Sequence, residues 1–295
     1  MKWGVQRRLE FIDFRLFWEG RINRADLMDW FGISAQQAST DLDRYAERAE
    51  GNMEYDRVQK TFVRASGYRP FFIEGMHNRY LMQMQAMKRG WLDPRQSWFD
   101  ALPPAEIVSL EHAPVDETVL MAVMDAIRHN HELEVEYWPM SDKPASMRRI
   151  APHALAYSDR RWHARCWNLE NQDFRDFNLT RMANAAASKP SHVNSAHDLE
   201  WHTIATMKIV PNPKLSAFDR EAVRREYGIK GEVHEVRTRL ALLFYYRQAY
   251  KLEEAPREDE SPKLRPLILL NRDELEELRL SARRMSVIAL QGGAA

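Results

Sequence analysis

The segment "INRADLMDWFGISAQQASTDLDRYAERA" constrains the fold more than any other part of this chain. Asn23 is a helix N-cap with Asp26 in the first turn, and Ala25, Leu27, Met28 and Phe31 supply a core face. Gly32 breaks that helix and Ile33 tucks in at the turn. Ser34 then opens a second helix, with Gln37 three residues on in the spacing of a capping box. Ala38, Leu42 and Tyr45 form its buried stripe. Two short helices joined by a glycine turn predict a helix-turn-helix, a pattern shared with plain helical hairpins. The next segment, "NMEYDRVQKTFVRASGYRP", favours the first reading. It runs strand, turn, strand with Arg57 and Lys60 at the tip, which makes a basic wing behind a recognition helix. Upstream, Val5, Leu9, Ile12, Leu16 and Phe17 predict a helix over residues 3–19, ended by Gly20.

With the apolar stripe inward, the second helix presents Gln36, Gln37, Thr40 and Arg44, with Ser39 at the flank and Ser34 at the start. Gln and Arg side chains make bidentate contacts with adenine and guanine edges. Short hydroxyls suit phosphates or base edges. Gln37 is also placed for capping, so Gln36 carries more weight. Phosphate would repel Asp41 and Asp43, which are expected to face away. A solvated helix face has the same composition at any single position.

The second informative stretch is "RRWHARCW", residues 160–167. On a strand, Arg161, His163 and Arg165 share one face, and Trp162, Ala164 and Cys166 form an apolar face suited to a core. Like charges in a row are unfavourable unless an anion covers them. That anion is either a ligand phosphate or the chain's own Asp159, Asp173 and Asp176 in cross-strand ion pairs. Arg149, His153 and Tyr157 share parity on the preceding run, which Pro152 makes imperfect. Ser141 ends the strand before that, and Arg181 lies beyond the last one. Together these eight residues describe a basic pocket with an aromatic wall, a combination that binds phosphate and stacks a base.

The surrounding segments place this strand. "ELEVEYWPMS" alternates Leu133, Val135 and Tyr137 with Glu134 and Glu136, and three further strand-like runs follow. A short helix followed by four or five antiparallel strands predicts a strongly bent sheet or partial barrel. "SKPSHVNSAHD" reads as a linker. Beyond it the order strand, helix, helix, strand, helix predicts an α+β unit, with "EVHEVRTRLALLFYYRQAYKL" as its second helix and Leu240, Leu243, Phe244 and Tyr246 as core and a dimer contact.

Lys and Arg total 43, as do Asp and Glu, so only local patches bear on nucleic acid. No run of apolar residues is long enough to cross a membrane. Cys166 is the only cysteine, in keeping with a reducing cytoplasm. No Walker loop, Rossmann glycine pattern, nucleophile elbow or zinc-protease motif occurs. "HNHE" at 129–132 lacks a second ligand pair. No catalytic residue, metal site or cofactor is therefore expected.

The segments "YDRVQKTFVRASGYRP", "MRRIAPHALAYSDRRWHARCW", "FRDFNLTRM" and "VRTRLALLFYYRQAY" resemble WYL-domain transcription regulators, above all those controlling phage-defence islands of the BREX and CBASS kinds. The likeness runs in order along nearly the whole chain. It implies an α+β protein with a winged helix-turn-helix over 1–80, a helical connector over 81–117, a WYL ligand-sensing domain of Sm-like small β-barrel type over 118–190, and a C-terminal dimerisation domain over 198–291. It further implies a cytoplasmic, nucleoid-associated homodimeric repressor that binds an inverted-repeat operator on double-stranded DNA. A nucleic-acid or nucleotide effector would relieve repression. Arg149 and Arg181 fall where the family has ligand-facing arginines. The name-giving Trp-Tyr-Leu triplet is here Trp162, His163 and Ala164, and a histidine at that position titrates near neutrality. The alternative is an RNA-, single-strand- or nucleotide-binding effector that needs no operator.

Overall fold

The computed structural model describes residues 3–73, 77–99, 102–108, 113–252 and 260–292. The chain divides into two units, residues 1–110 and 111–295.

The first unit begins with α1 (Trp3–Glu19), β1 (Arg21–Ile22), α2 (Arg24–Phe31) and α3 (Ala35–Arg48). β2 (Met53–Asp56), β3 (Thr61–Arg64) and α4 (His77–Lys88) follow. Asn23 and Asp26 cap α2 reciprocally, and Gly32 ends it at φ 62°, a left-handed turn that glycine adopts without strain. Strands β2 and β3 form the wing, with β1 completing a sheet in the order β1-β3-β2. Leu9, Ile12 and Leu16 are buried as the periodicity predicts, but Phe17 is only half-buried. Phe11 and Phe14 take its place because α1 is covered on a second side. Their rings meet Trp98 edge-on at 5.6 and 5.5 Å. Trp98 and Phe99 are core residues, so the stretch read as a connector over 81–117 supplies part of the winged-helix interior.

Asp13 lies at 0% exposure in the middle of this unit. A buried carboxylate loses several kcal/mol of hydration unless donors surround it. Tyr45 Oη of α3 and Tyr68 Oη donate to it, as do the backbone N–H groups of Phe71, Phe72 and Ile73 at 2.6–3.1 Å. One side chain thus joins α1, the recognition helix and the segment after the wing.

The second unit opens with α5 (Glu117–His129) and the strands β4 (His131–Tyr137), β5 (Ser146–Ser158), β6 (Arg161–Asn168), β7 (Asp173–Asn178) and β8 (Met182–Pro190). They form one antiparallel sheet in the order β7-β6-β5-β4-β8. β5 pairs with β4 through its first residues and with β6 beyond Ile150, with a bulge between Pro152 and Ala154. The hairpin "YSDR" turns on Asp159 and Arg160, both at positive φ, a backbone twist that matches the flanking strands. Among the described residues no ladder joins β7 to β8, so the expected barrel is an open sheet here. Elements of the C-terminal half pack beside β7: Tyr245 and Arg283 engage its Asp176 and Asp173.

The C-terminal half contains α6 (Leu199–His202), β9 (Ile204–Pro211), α7 (Ala217–Tyr227), β10 (His234–Arg239), α8 (Leu243–Ala249), β11 (Leu267–Leu269) and α9 (Arg272–Gly292). Its sheet has the order β10-β9-β11. The predicted second helix is β10 followed by α8. "HEVRTR" alternates half-buried and exposed side chains from His234 to Arg237, buries Thr238 and pairs with β9 along its whole length, and that ladder outweighs the helical character of the residues after it. The predicted linker is also partly ordered, since β8 runs to Pro190 and Asp198 is fully buried.

Asp13→Ala leaves Tyr45 and the three backbone N–H groups without their acceptor, while Tyr68 keeps only the Asp13 carbonyl, and is expected to cost at least about 3 kcal/mol. Denaturant unfolding of the full chain measures this, and a loss near zero contradicts the anchoring role.

Candidate functional site

The recognition helix α3 starts at Ser34, whose hydroxyl accepts the Gln37 N–H at 3.2 Å. The reciprocal half of the expected capping box is absent. Gln37 instead donates to Asp41 Oδ2 at 3.1 Å, which leaves it half-buried. Asp41 faces away from the exposed surface as predicted, at 0% exposure and 2.6 Å from Arg8 of α1. Asp43 is exposed. Gln36 and Thr40 are exposed on the outer face, while Ser39 and Arg44 are half-buried. Arg44 lies 3.5 Å from Asp41, and Arg24 Nη1 lies 3.5 Å from the Ser39 hydroxyl. Arg57 and Lys60 are exposed in the wing turn, Lys60 at φ 55°. Polar and basic side chains thus line one face of α3 and the wing tip, and Gln37 and Arg44 are tied to the buried Asp41.

The strand face in the second unit is divided. Ala164 and Cys166 point into the core of the sheet, but Trp162 is 46% exposed beside the hairpin turn, against the expectation that it is core. Tyr157 is directly opposite Trp162 in the ladder, with ring centroids 5.0 Å apart, so it lies on the face opposite Arg161, His163 and Arg165. The bulge at His153 breaks the parity that grouped Tyr157 with the arginines.

Arg165 is buried. Its Nε and Nη2 grip both oxygens of Asp198 at 2.7 and 3.1 Å. Nη2 also reaches Glu200 at 3.2 Å, and Nη1 reaches Asp176 at 3.3 Å. His153 Nε2 is 2.9 Å from Asp198 Oδ2. The anion over this part of the face is therefore the protein's own. Burial works against ionisation of Asp198, but hydrogen bonds from His153 and Arg165 outweigh it and hold the carboxyl below its usual 3.8.

Arg161, His163 and Arg181 occupy the outer part of the face. Arg161 is loosely paired with Asp159 at 3.8 Å. The His163 ring is 5.1 Å from that of Tyr245, whose hydroxyl donates to Asp176 at 3.0 Å. Burial lowers the His163 pKa, Asp176 opposes the shift and the charges of Arg161 and Arg181 reinforce it. The net shift favours the neutral imidazole, whose buried Nδ1 finds no hydrogen-bond partner among the described residues. Ser141 and Arg149 are exposed, and the Arg149 N–H is taken by Glu170. The structure brings His153 to Arg165, and Arg161 and Arg181 to His163. It leaves Tyr157 on the other face.

Asp198, Glu200 and Tyr245 were not anticipated. Only Asp198 left a local signal, as an N-cap ahead of "LEWH", where it accepts the Trp201 N–H at 3.1 Å.

Three family models match in succession: the BrxR transcriptional regulator winged helix-turn-helix domain over residues 4–86, the WYL domain over 118–187, and the BrxR C-terminal dimerization domain over 204–275. Fold and domain order together define a WYL-domain transcriptional regulator. The DNA-binding transcriptional repressor CapW of Stenotrophomonas maltophilia is 34% identical over 94% of this chain and 93% of its own length. CapW of Pseudomonas aeruginosa is 32% identical over 94% and 92%. CapW of Escherichia coli strain KTE188 is 34% identical over the same shares. The chain belongs to the family of these CapW repressors.

Asp198→Asn replaces the carboxylate that meets Arg165 and His153 with a neutral amide and is expected to cost about 3 kcal/mol at neutral pH. A depressed carboxyl stabilises the fold above its unfolded pKa and loses that contribution as pH falls through the folded value. The gap between wild type and variant should therefore be full at neutrality and shrink below pH 3.8. Thermal unfolding of both proteins across pH measures it, and a gap independent of pH contradicts the ion-pair assignment.

Proposed function

We propose that this chain is a homodimeric, sequence-specific transcriptional repressor that binds an inverted repeat upstream of a phage-defence operon. The observation that carries this reading is the outer face of α3, with exposed Gln36 and Thr40 and half-buried Arg44 beside a wing bearing Arg57 and Lys60. Gln and Arg read adenine and guanine edges, whereas Ser34, Ser39, Thr40 and the wing cations suit phosphates. Gln37, held by Asp41, supports the helix rather than leading the readout. The names of the CapW relatives and the matched dimerization domain support a DNA-binding dimer. Two recognition helices about one helical turn apart (~34 Å) would read the two half-sites. The protein acts by binding and needs no catalytic group.

In the same reading a nucleic-acid or nucleotide effector relieves repression through the WYL domain. Arg161, His163 and Arg181, with Ser141 and Arg149 at the periphery, are the residues available to meet it. Arg165 and His153 serve beneath them by holding the sheet against Asp198. Relief requires that the effector bind the operator-free and operator-bound geometries with different affinity.

A gel-shift titration on the protein's own upstream DNA, with scrambled duplex as competitor at two salt concentrations, tests the central step. Preference for the upstream fragment that survives competitor and salt supports the reading. Equal binding to both duplexes that collapses with salt rejects it. Gln36→Ala is expected to cost about 1–3 kcal/mol and to relax specificity at one base pair. Arg57→Ala is expected to weaken binding to all sequences alike.

A further inference from the structure

Within the second unit the sheet and the C-terminal elements line an open cavity of about 760 Å³ that the effector reading does not use. Arg165, Phe174 and Leu243 are among the buried residues that line it, Arg175 and Phe244 line it from exposed positions, and Arg283 is half-buried. We propose that this cavity binds a nucleotide-sized phosphate ester, with the phosphate held by Arg175 and Arg283 and the base stacked on Phe244.

The charge distribution points to an anion. Arg175 of β7 and Arg283 of α9 come from distant parts of the chain, yet both are satisfied by the single carboxylate of Asp173, which is 7% exposed. Arg175 uses only its Nε, at 2.7 Å, and Arg283 only its Nη2, at 2.7 Å. Each guanidinium carries five N–H donors, so most donors on both residues have no protein acceptor among the described residues. Two cations on one anion leave a positive wall, and planar guanidinium forks match phosphate oxygens. The deeper carboxylates do not cancel it. Asp176, Glu200 and Glu276 line the same cavity but are engaged by other arginines, Asp176 and Glu200 by Arg165, and Glu200 and Glu276 by Arg279.

The aromatic lining points to a base. Phe244 is 61% exposed although it directly follows the core residue Leu243, and its ring meets Tyr245 at 5.5 Å. An exposed phenylalanine beside a basic wall is a stacking platform of the kind single nucleotides use. The volume is that of a pocket for one small ligand. A free mononucleotide and the 5′ end of a short strand share this chemistry. The site shares only Arg165 with the effector residues above, and binding here is measured without operator DNA, so either proposal can fail while the other stands.

The test is isothermal titration of the full-length protein with ADP, with pyrophosphate, and with a trideoxynucleotide carrying either a 5′-phosphate or a 5′-hydroxyl. Arg175→Gln keeps Arg283 on Asp173 and so preserves the fold. It is expected to weaken ADP and pyrophosphate together by about ten-fold or more. Phe244→Ala, at an exposed position, is expected to weaken ADP about five-fold or more and leave pyrophosphate unchanged. Arg225→Gln, a surface substitution outside the cavity, should change neither. A preference for the 5′-phosphorylated strand over ADP names a strand end as the source, and the reverse names a free nucleotide. The proposal is overturned if none of the probes binds, or if ADP binds with an affinity that Arg175→Gln and Phe244→Ala both leave intact.

Discussion

Arg165 cannot be buried without being paired. A guanidinium moved out of water loses several kcal/mol of hydration, and attraction to carboxylates restores this only when the geometry satisfies its donors. Here Asp176 comes from the adjacent strand β7, whereas Asp198 and Glu200 come from the start of the C-terminal half. The strand face therefore closes only when the chain beyond residue 190 returns to it. Asp198 accepts from Arg165, His153 and the first turn of α6 at once, which fixes both the bulge in β5 and the entry to the next domain. The WYL sheet and the C-terminal elements are consequently coupled through one buried charge cluster.

The winged-helix unit solves the same problem with the signs reversed. Asp13 and Asp41 are buried anions, and the groups that satisfy them belong to the elements that must be held in register. Arg8 of α1 reaches Asp41 at 2.6 Å, and Gln37 and Arg44 lean on the same carboxylate. A recognition helix clamped in this way presents Gln36 and Thr40 on a rigid support, so little ordering remains to oppose binding. Buried charge thus links the core of each unit to its binding surface.

Local chemistry was legible in the sequence. Asn23, Gly32 and Ser34 marked the helix-turn-helix because caps and glycine turns act within a few residues. Strand parity put Ala164 and Cys166 in the core and Arg161, His163 and Arg165 on the other face. What stayed hidden depended on distant partners. Asp198 and Glu200 lie far along the chain from Arg165, and nothing in their own neighbourhood shows that they will neutralise it. The bulge at His153 is one residue wide, yet it moved Tyr157 to the opposite face. "HEVRTR" became a strand because β9 was there to pair with it. Trp98 and Phe99 joined the winged-helix core although their segment reads as a connector.

The most direct measurement is a double-mutant cycle between Arg165→Met and Asp198→Leu, followed by denaturant unfolding of the full chain. If the two side chains neutralise each other across the junction, each single substitution unbalances the buried cluster, leaving Arg165 to Asp176 and Glu200 or Asp198 to His153 and the Trp201 N–H, and is destabilising. The pair together should then cost far less than the sum, with a coupling of several kcal/mol. Penalties that simply add would contradict the account, and would return Arg165 to the set of residues free to hold a ligand.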